Sequence, residues 1–235
     1  MKLSAPIYIL KQQARVLSRS EKIPLHAALD RIASREGFAD WSLLAAKWND
    51  SNATLFSQLL PGELVLLAAR PAQGKTLLGL GLAIECMERG GRAAFFTLDL
   101  SEADIATGFR ALDRDLATFR ERLLLDFSDG INAGYIVRRL ASAPSNMMIV
   151  VDYLQLLDQK RDTPTLMDQI IELRRFAQEG RHTIVFISQI SRSFDDAADE
   201  CPRLKDVHLP NPVDLTLFDK ACFLNRGKMQ VVRAA

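Results

Sequence analysis

Cysteine is scarce and unpatterned: Cys86, Cys201 and Cys222 are odd in number and far apart, with no C-x-x-C or C…H-x-x-x-H spacing. Neither a disulfide framework nor a zinc site is therefore expected, and a reducing cytoplasm is the setting that fits. Long apolar runs are also lacking, since no stretch approaches the roughly 18 apolar residues that a membrane-spanning helix requires, so no membrane partner is expected. The apolar run at 7–10 stops at Lys11 and carries no small-residue cleavage site, unlike a secretory signal. An excess of charge of either sign is missing too. Thirty basic residues against 29 acidic ones leave a net charge of +1, so contact with nucleic acid must come from local patches. The three histidines, His26, His182 and His208, are scattered, and no Ser/His/Asp or Cys/His pairing can be built from their spacing. What remains is an ordinary globular composition of 235 residues, 48% hydrophobic with 12 Gly and 9 Pro, long enough to bury a real core.

The chain divides by pattern into a small helical N-terminal segment, 1–50, and a larger domain, 51–235. In the first, Ile9, Ala14 and Leu17, then Leu25, Leu29, Ile32 and Ala33, recur at helical spacing, with Pro24 early in the second helix where its missing N–H costs little. Gly37-Phe38 interrupts the pattern before a short third helix from Trp41. The basic residues Lys2, Lys11, Arg15, Arg19 and Lys22 face only Glu21 in this stretch and are read as a solvated helix face. From Gly62 onward, short apolar runs alternate with amphipathic ones, the pattern of an α/β fold with a mostly parallel sheet flanked by helices. The expected strands are 64–68, 93–98, 123–127, 147–152, 183–188 and 221–224, with helices at 75–89, 102–112, 133–143 and 166–179.

The strongest local signal is Ala69-Arg70-Pro71-Ala72-Gln73-Gly74-Lys75-Thr76, which follows a strand and opens a helix. That geometry aims backbone N–H groups and the positive end of a helix dipole at one point, as a polyphosphate requires. Lys75 would neutralise the β- and γ-phosphates and the Thr76 hydroxyl would join a Mg²⁺ shell, with Ala69 standing where the G-x-x-x-x-G-K-[ST] pattern has its first glycine.

Hydrolysis needs further groups at the C-terminal ends of neighbouring strands. The run Met147-Met148-Ile149-Val150-Val151 ends in Asp152, the Walker B arrangement, whose acid would hold Mg²⁺ through water. Another strand ends at Asp99, where a general base could meet the attacking water. Glu102 and Asp104 follow Ser101 and read as first-turn acids beneath an N-cap. The strand at 183–188 leads to Gln189, whose amide is placed to sense a γ-phosphate.

Three segments together resemble the C-terminal motor domain of the DnaB-type replicative helicases, within the RecA-like P-loop ATPases: the loop ending Gly74-Lys75-Thr76, Asp152-Tyr153-Leu154-Gln155, and Ser188-Gln189-Ile190-Ser191-Arg192-Ser193. The likeness runs in order from about Gly62 to Arg226. It implies ATP and Mg²⁺ as cofactors, with Pro71, Ala72, Gln73, Gly74, Lys75, Thr76 and Leu77 around the nucleotide, and Thr76 and Asp152 at the metal. Lys75, Asp99, Asp152 and Gln189 would then be the catalytic set, with Lys160, Arg161 and Arg192 on loops facing single-stranded DNA. The implied protein is a cytoplasmic ATP hydrolase that couples turnover to DNA binding or translocation, in a homo-oligomeric, hexameric ring.

Against the family pattern, Asp99 replaces a glutamate and is one methylene shorter. The chain is also expected to stop before the hairpin that carries the family's arginine finger, leaving Arg226 and Lys228 as candidates to reach a neighbouring subunit's nucleotide. Two other readings stand beside the motor: a RecA-like switch that controls a partner or oligomer without unwinding DNA, and a catalytically weakened nucleotide-binding protein.

Overall fold

The computed structural model describes residues 3–5, 7–158, 164–194, 200–209 and 211–234. Helices α1 (Ile7–Glu21), α2 (Leu25–Arg35) and α3 (Trp41–Gln58) come first. The core follows as β1 (Leu64–Ala69), α4 (Lys75–Glu88), β2 (Ala93–Thr97), α5 (Glu102–Ala111), β3 (Leu123–Asp126) and α6 (Ala133–Arg139). It is completed by β4 (Met148–Asp152), α7 (Leu166–Gly180), β5 (Thr183–Gln189), β6 (Lys220–Asn225) and β7 (Lys228–Arg233).

The strands form one seven-stranded sheet in the order β3-β2-β4-β5-β1-β6-β7, parallel throughout except for the antiparallel edge strand β7. Every residue of β1, β2 and β4 is buried. Such strands need apolar side chains on both faces, which is why they read as unbroken hydrophobic runs. Helices α1–α5 contribute to the core on one face, and α6 and α7 to that on the other. Phe95 and Phe186, both fully buried, anchor opposite faces, and each such side chain contributes about 1.5–3 kcal/mol by leaving water.

Helix α4 is buried on nearly every side, because the sheet lies beneath it and α3 lies above. Two glycines allow the close fit. A Cβ on Gly79 would stand 3.0 Å from Ile187 Cδ1 and 3.1 Å from Val150 Cγ1, and one on Gly81 would stand 2.8 Å from Asn52 Nδ2.

Three elements differ from expectation. Helix α3 has 18 residues rather than being the short helix expected. Asp40 caps its start by accepting from the Leu43 N–H at 2.9 Å, and its later residues are stabilised by packing on α4 rather than by an amphipathic pattern of their own. Helix α6 ends at Arg139 instead of 143; Pro144 disfavours helical geometry at Ala143 before it. Beyond the last expected strand, at 221–224, the chain adds β7, which pairs antiparallel with β6. Its sequence, KMQVVR, is half-buried on an edge and mixes polar with apolar residues, so it gives no continuous apolar signal.

His182 lies buried before β5, where Nδ1 accepts the Met147 N–H at 3.2 Å and the ring lies tilted against Phe176, centroids 4.8 Å apart. Burial lowers the imidazole pKa below its ordinary value. The unfolded chain therefore takes up a proton that the folded chain refuses, and the stabilising neutral state is lost as pH falls below about 6.5. Urea unfolding of the wild type should show a midpoint that drops from pH 7.5 to pH 5.5 more steeply than that of His182→Gln. Equal slopes would remove His182 from the pH response.

Candidate nucleotide site

The C-terminal ends of β1, β2, β4 and β5 share one edge of the sheet, as parallel strands must. Register fixes the neighbours: Ala69 pairs with Gln189, Asp152 with Ile187, and Thr97 with Asp152. The loop 70–74 leaves β1 at this edge and turns into α4 through two left-handed residues, Ala72 (φ 61°) and Gly74 (φ 86°). Gly74 occupies the position before the first helical turn, where a left-handed backbone lets consecutive N–H groups point into the loop.

Thr76 and Asp152 meet directly, the hydroxyl donating to Asp152 Oδ2 at 2.8 Å. Burial raises the Asp152 pKa; the Thr76 bond and the nearby Lys75 charge pull it down, and Asp99 raises it further. Lys75 is shifted in the opposite sense, its pKa lowered mainly by burial and partly restored by Asp152. The cation and the acid therefore hold each other in their charged forms at the mouth of the loop. Asp99 sits exposed on the bend after β2, close enough to act electrostatically on both Asp152 and Tyr153. Beside it, the buried Thr97 Oγ1 has no hydrogen-bond partner among the described residues.

These groups fit Mg²⁺ with a nucleotide phosphate. Thr76 and Asp152 offer hard oxygen atoms, and a small divalent ion held by one carboxylate, a hydroxyl, phosphate oxygens and water is the usual arrangement. The donors come from two separate elements, α4 and β4, brought together by the sheet.

Of the other predicted residues, Pro71 and Ala72 are exposed on the loop, and the buried Leu77 lies in the first turn of α4. Gln73 turns away from the loop: its Oε1 accepts the Arg226 N–H at 2.7 Å. Arg226 and Gly227, both at positive φ, form the two-residue turn between β6 and β7. Lys228 is ion-paired with Glu200. Gln189 ends β5 beside Ala69, and its carbonyl accepts the His208 N–H at 2.8 Å. Arg192 is exposed on the turn after β5, whereas Lys160 and Arg161 lie outside the described residues.

Two polar residues missed from the sequence tie the site's flanks together. Gln155 Nε2 donates to the His208 carbonyl at 2.8 Å. Gln169, almost fully buried, accepts from the Ala133 N–H at 3.0 Å and donates to the Pro164 carbonyl at 2.9 Å, tying the start of α7 to α6. Gln155 was readable as part of the Asp-Tyr-Leu-Gln run; Gln169 carries no signal beyond one polar residue on a buried helix face.

The family model for the DnaB-like helicase C terminal domain matches residues 129–213, the stretch that holds Asp152, Gln155, Gln189 and Arg192. Over that stretch the chain is similar to the C-terminal domain of DnaB-type helicases. The replicative DNA helicase DnaB of Leifsonia xyli is 27% identical over 184 residues, covering 65% of this chain and 40% of the relative. That of Helicobacter pylori strain J99 is 28% identical over 207 residues, covering 74% and 42%. The chain thus spans about two fifths of the length of these curated relatives. Among solved structures, that of a DnaB-like replicative helicase superposes with a TM-score of 0.59 at 16% identity, covering 74% of this chain and 54% of that one. At that identity the likeness establishes the shared fold alone, and the resemblance to DnaB-type helicases rests on the sequence matches.

Proposed function

We propose that this DnaB-type domain binds Mg-ATP at the 70–76 loop, hydrolyses it, and couples the cycle to single-stranded DNA within a ring of identical subunits. The observation that carries this reading is the Thr76–Asp152 hydrogen bond, which joins the phosphate loop to the Walker B acid at one point. Lys75 would rest against the β- and γ-phosphate oxygens, while Thr76 and Asp152 hold the metal between them, Asp152 through water. Bound Mg²⁺ would spread the charge that develops on the transferred phosphoryl group. Asp99 would accept a proton from the water that attacks the γ-phosphorus as the bond to the β-phosphate oxygen breaks. Gln189, next to Ala69 on the adjoining strand, would register the γ-phosphate and pass its presence to the Arg192 turn. Arg226, on the β6–β7 turn, is the candidate to reach across to a neighbouring subunit's nucleotide, with Lys228 beside it.

The name of one relative, replicative DNA helicase, supports the DNA partner in this reading. The decisive measurement is the ATPase rate with and without single-stranded DNA, taken alongside the oligomer mass by light scattering. A motor should run several-fold faster on DNA and have a mass near six chains. A DNA-indifferent ATPase of lower mass would favour the switch, and a rate no different from that of a dead variant would leave only nucleotide binding.

A further inference from the structure

Next to the phosphate loop, α4 and α5 part to leave a cavity of about 230 Å³, several times the roughly 30 Å³ share of one water in the liquid. Its walls are apolar, with Leu77 and Leu80 from α4, Leu100 before α5, and Ala111 at the end of α5. It is continuous with Gly74, Lys75 and Thr76, so a group attached to phosphates on the loop can extend into it without leaving the protein. One wall comes from outside the ATPase-type core: Tyr8 of α1 lines the cavity and points its hydroxyl at the Ala72 carbonyl, 3.4 Å away. Burial raises the Tyr8 pKa, which keeps the ring neutral.

Helix α1 is held in this position along its N-terminal half. Lys11 Nζ pairs with Asp113 at 2.6 Å, just past α5, and Leu10 and Ala14 are fully buried. Ahead of the helix, Leu3 packs so closely on the β6–β7 turn that a Cβ on Gly227 would lie 2.8 Å from its Cβ.

We propose that α1 completes the nucleotide site, with the Tyr8 ring stacking on the purine of a nucleoside triphosphate held in the α4–α5 cavity. This rests on nucleotide binding by the 70–76 loop and adds to it the recognition of the nucleoside half. A flat uncharged ring suits apolar walls and an aromatic lid, since stacking needs only a π face. Asp104, among the lining residues, offers an acceptor for a ribose hydroxyl or an exocyclic amino group: its Oδ2 is engaged with Ser101, while Oδ1 makes no hydrogen bond among the described residues.

The test compares two ligands by titration calorimetry on the full chain with Mg²⁺: ATP, and inorganic tripolyphosphate, which has the phosphates without the nucleoside. Tyr8→Ala should weaken ATP about tenfold, the loss of one base–aromatic stack, and leave tripolyphosphate unchanged. Tyr8→Phe keeps the ring and should bind ATP within about twofold of the wild type. Lys75→Ala should lose both ligands. If Tyr8→Ala binds ATP as the wild type does while Lys75→Ala does not, the Tyr8 inference falls and the phosphate-loop reading stands. Equal weakening of ATP and tripolyphosphate by Tyr8→Ala would mean that α1 only props the loop, which also overturns the inference. A wild type that binds neither ligand would overturn both readings together.

Discussion

Lys75→Ala is expected to lower ATP turnover by about 10²–10³-fold, the scale on which single preorganised electrostatic contacts act in transition states. Two physical effects add. The ammonium is partly withdrawn from water and is held charged by Asp152, so its favourable interaction with phosphate is screened less than a surface lysine's would be. Its removal also strips Asp152 of the cation that offsets burial and the negative charge of Asp99. The Asp152 carboxyl should then rise further in pKa and hold Mg²⁺ less well. Initial-rate assays at saturating and limiting ATP would resolve the loss into kcat and KM. An unchanged rate would mean that hydrolysis, if present, occurs elsewhere.

Asp99→Asn is the second large expected effect. The amide is nearly isosteric with the carboxylate but cannot accept a proton, so kcat should fall by about 10²–10⁴-fold, the usual contribution of general base catalysis. ATP affinity should hold or improve, because the substitution removes a negative charge that acts on Asp152. Wild-type kcat in Asp99→Asn would move the base to another group. Asp99→Glu restores the length of the family's side chain; a rate at or above wild type would show that reach, rather than acidity alone, limits the natural residue.

The parallel core was legible in the sequence because β1, β2, β4 and β5 are buried on both faces, so nothing polar interrupts them until the functional edge. For the same reason Asp152 and Gln189 stood out: each is a polar residue ending an apolar run. Thr76 was placed by motif, and the sheet explains its bond to Asp152 from 76 positions away. The parts that were not legible depend on contacts that no local pattern encodes. Strand β7 exists because β6 offers it an edge, and α3 extends because α4 lies beneath it. Tyr8 reads in sequence as one more residue of an amphipathic helix; only the docking of α1 brings it to Ala72.

The burial of α4 on nearly every side limits how the site can respond to its ligand. A helix gripped by Ile187 and Val150 on one side and Asn52 on the other cannot slide or tilt without opening voids on both. The 70–74 loop therefore leads into a helix held tightly from both sides. A nucleotide arriving there would do its mechanical work on the elements around α4: the end of β5 at Gln189, the β6–β7 turn tethered through Gln73, and α1 above the cavity.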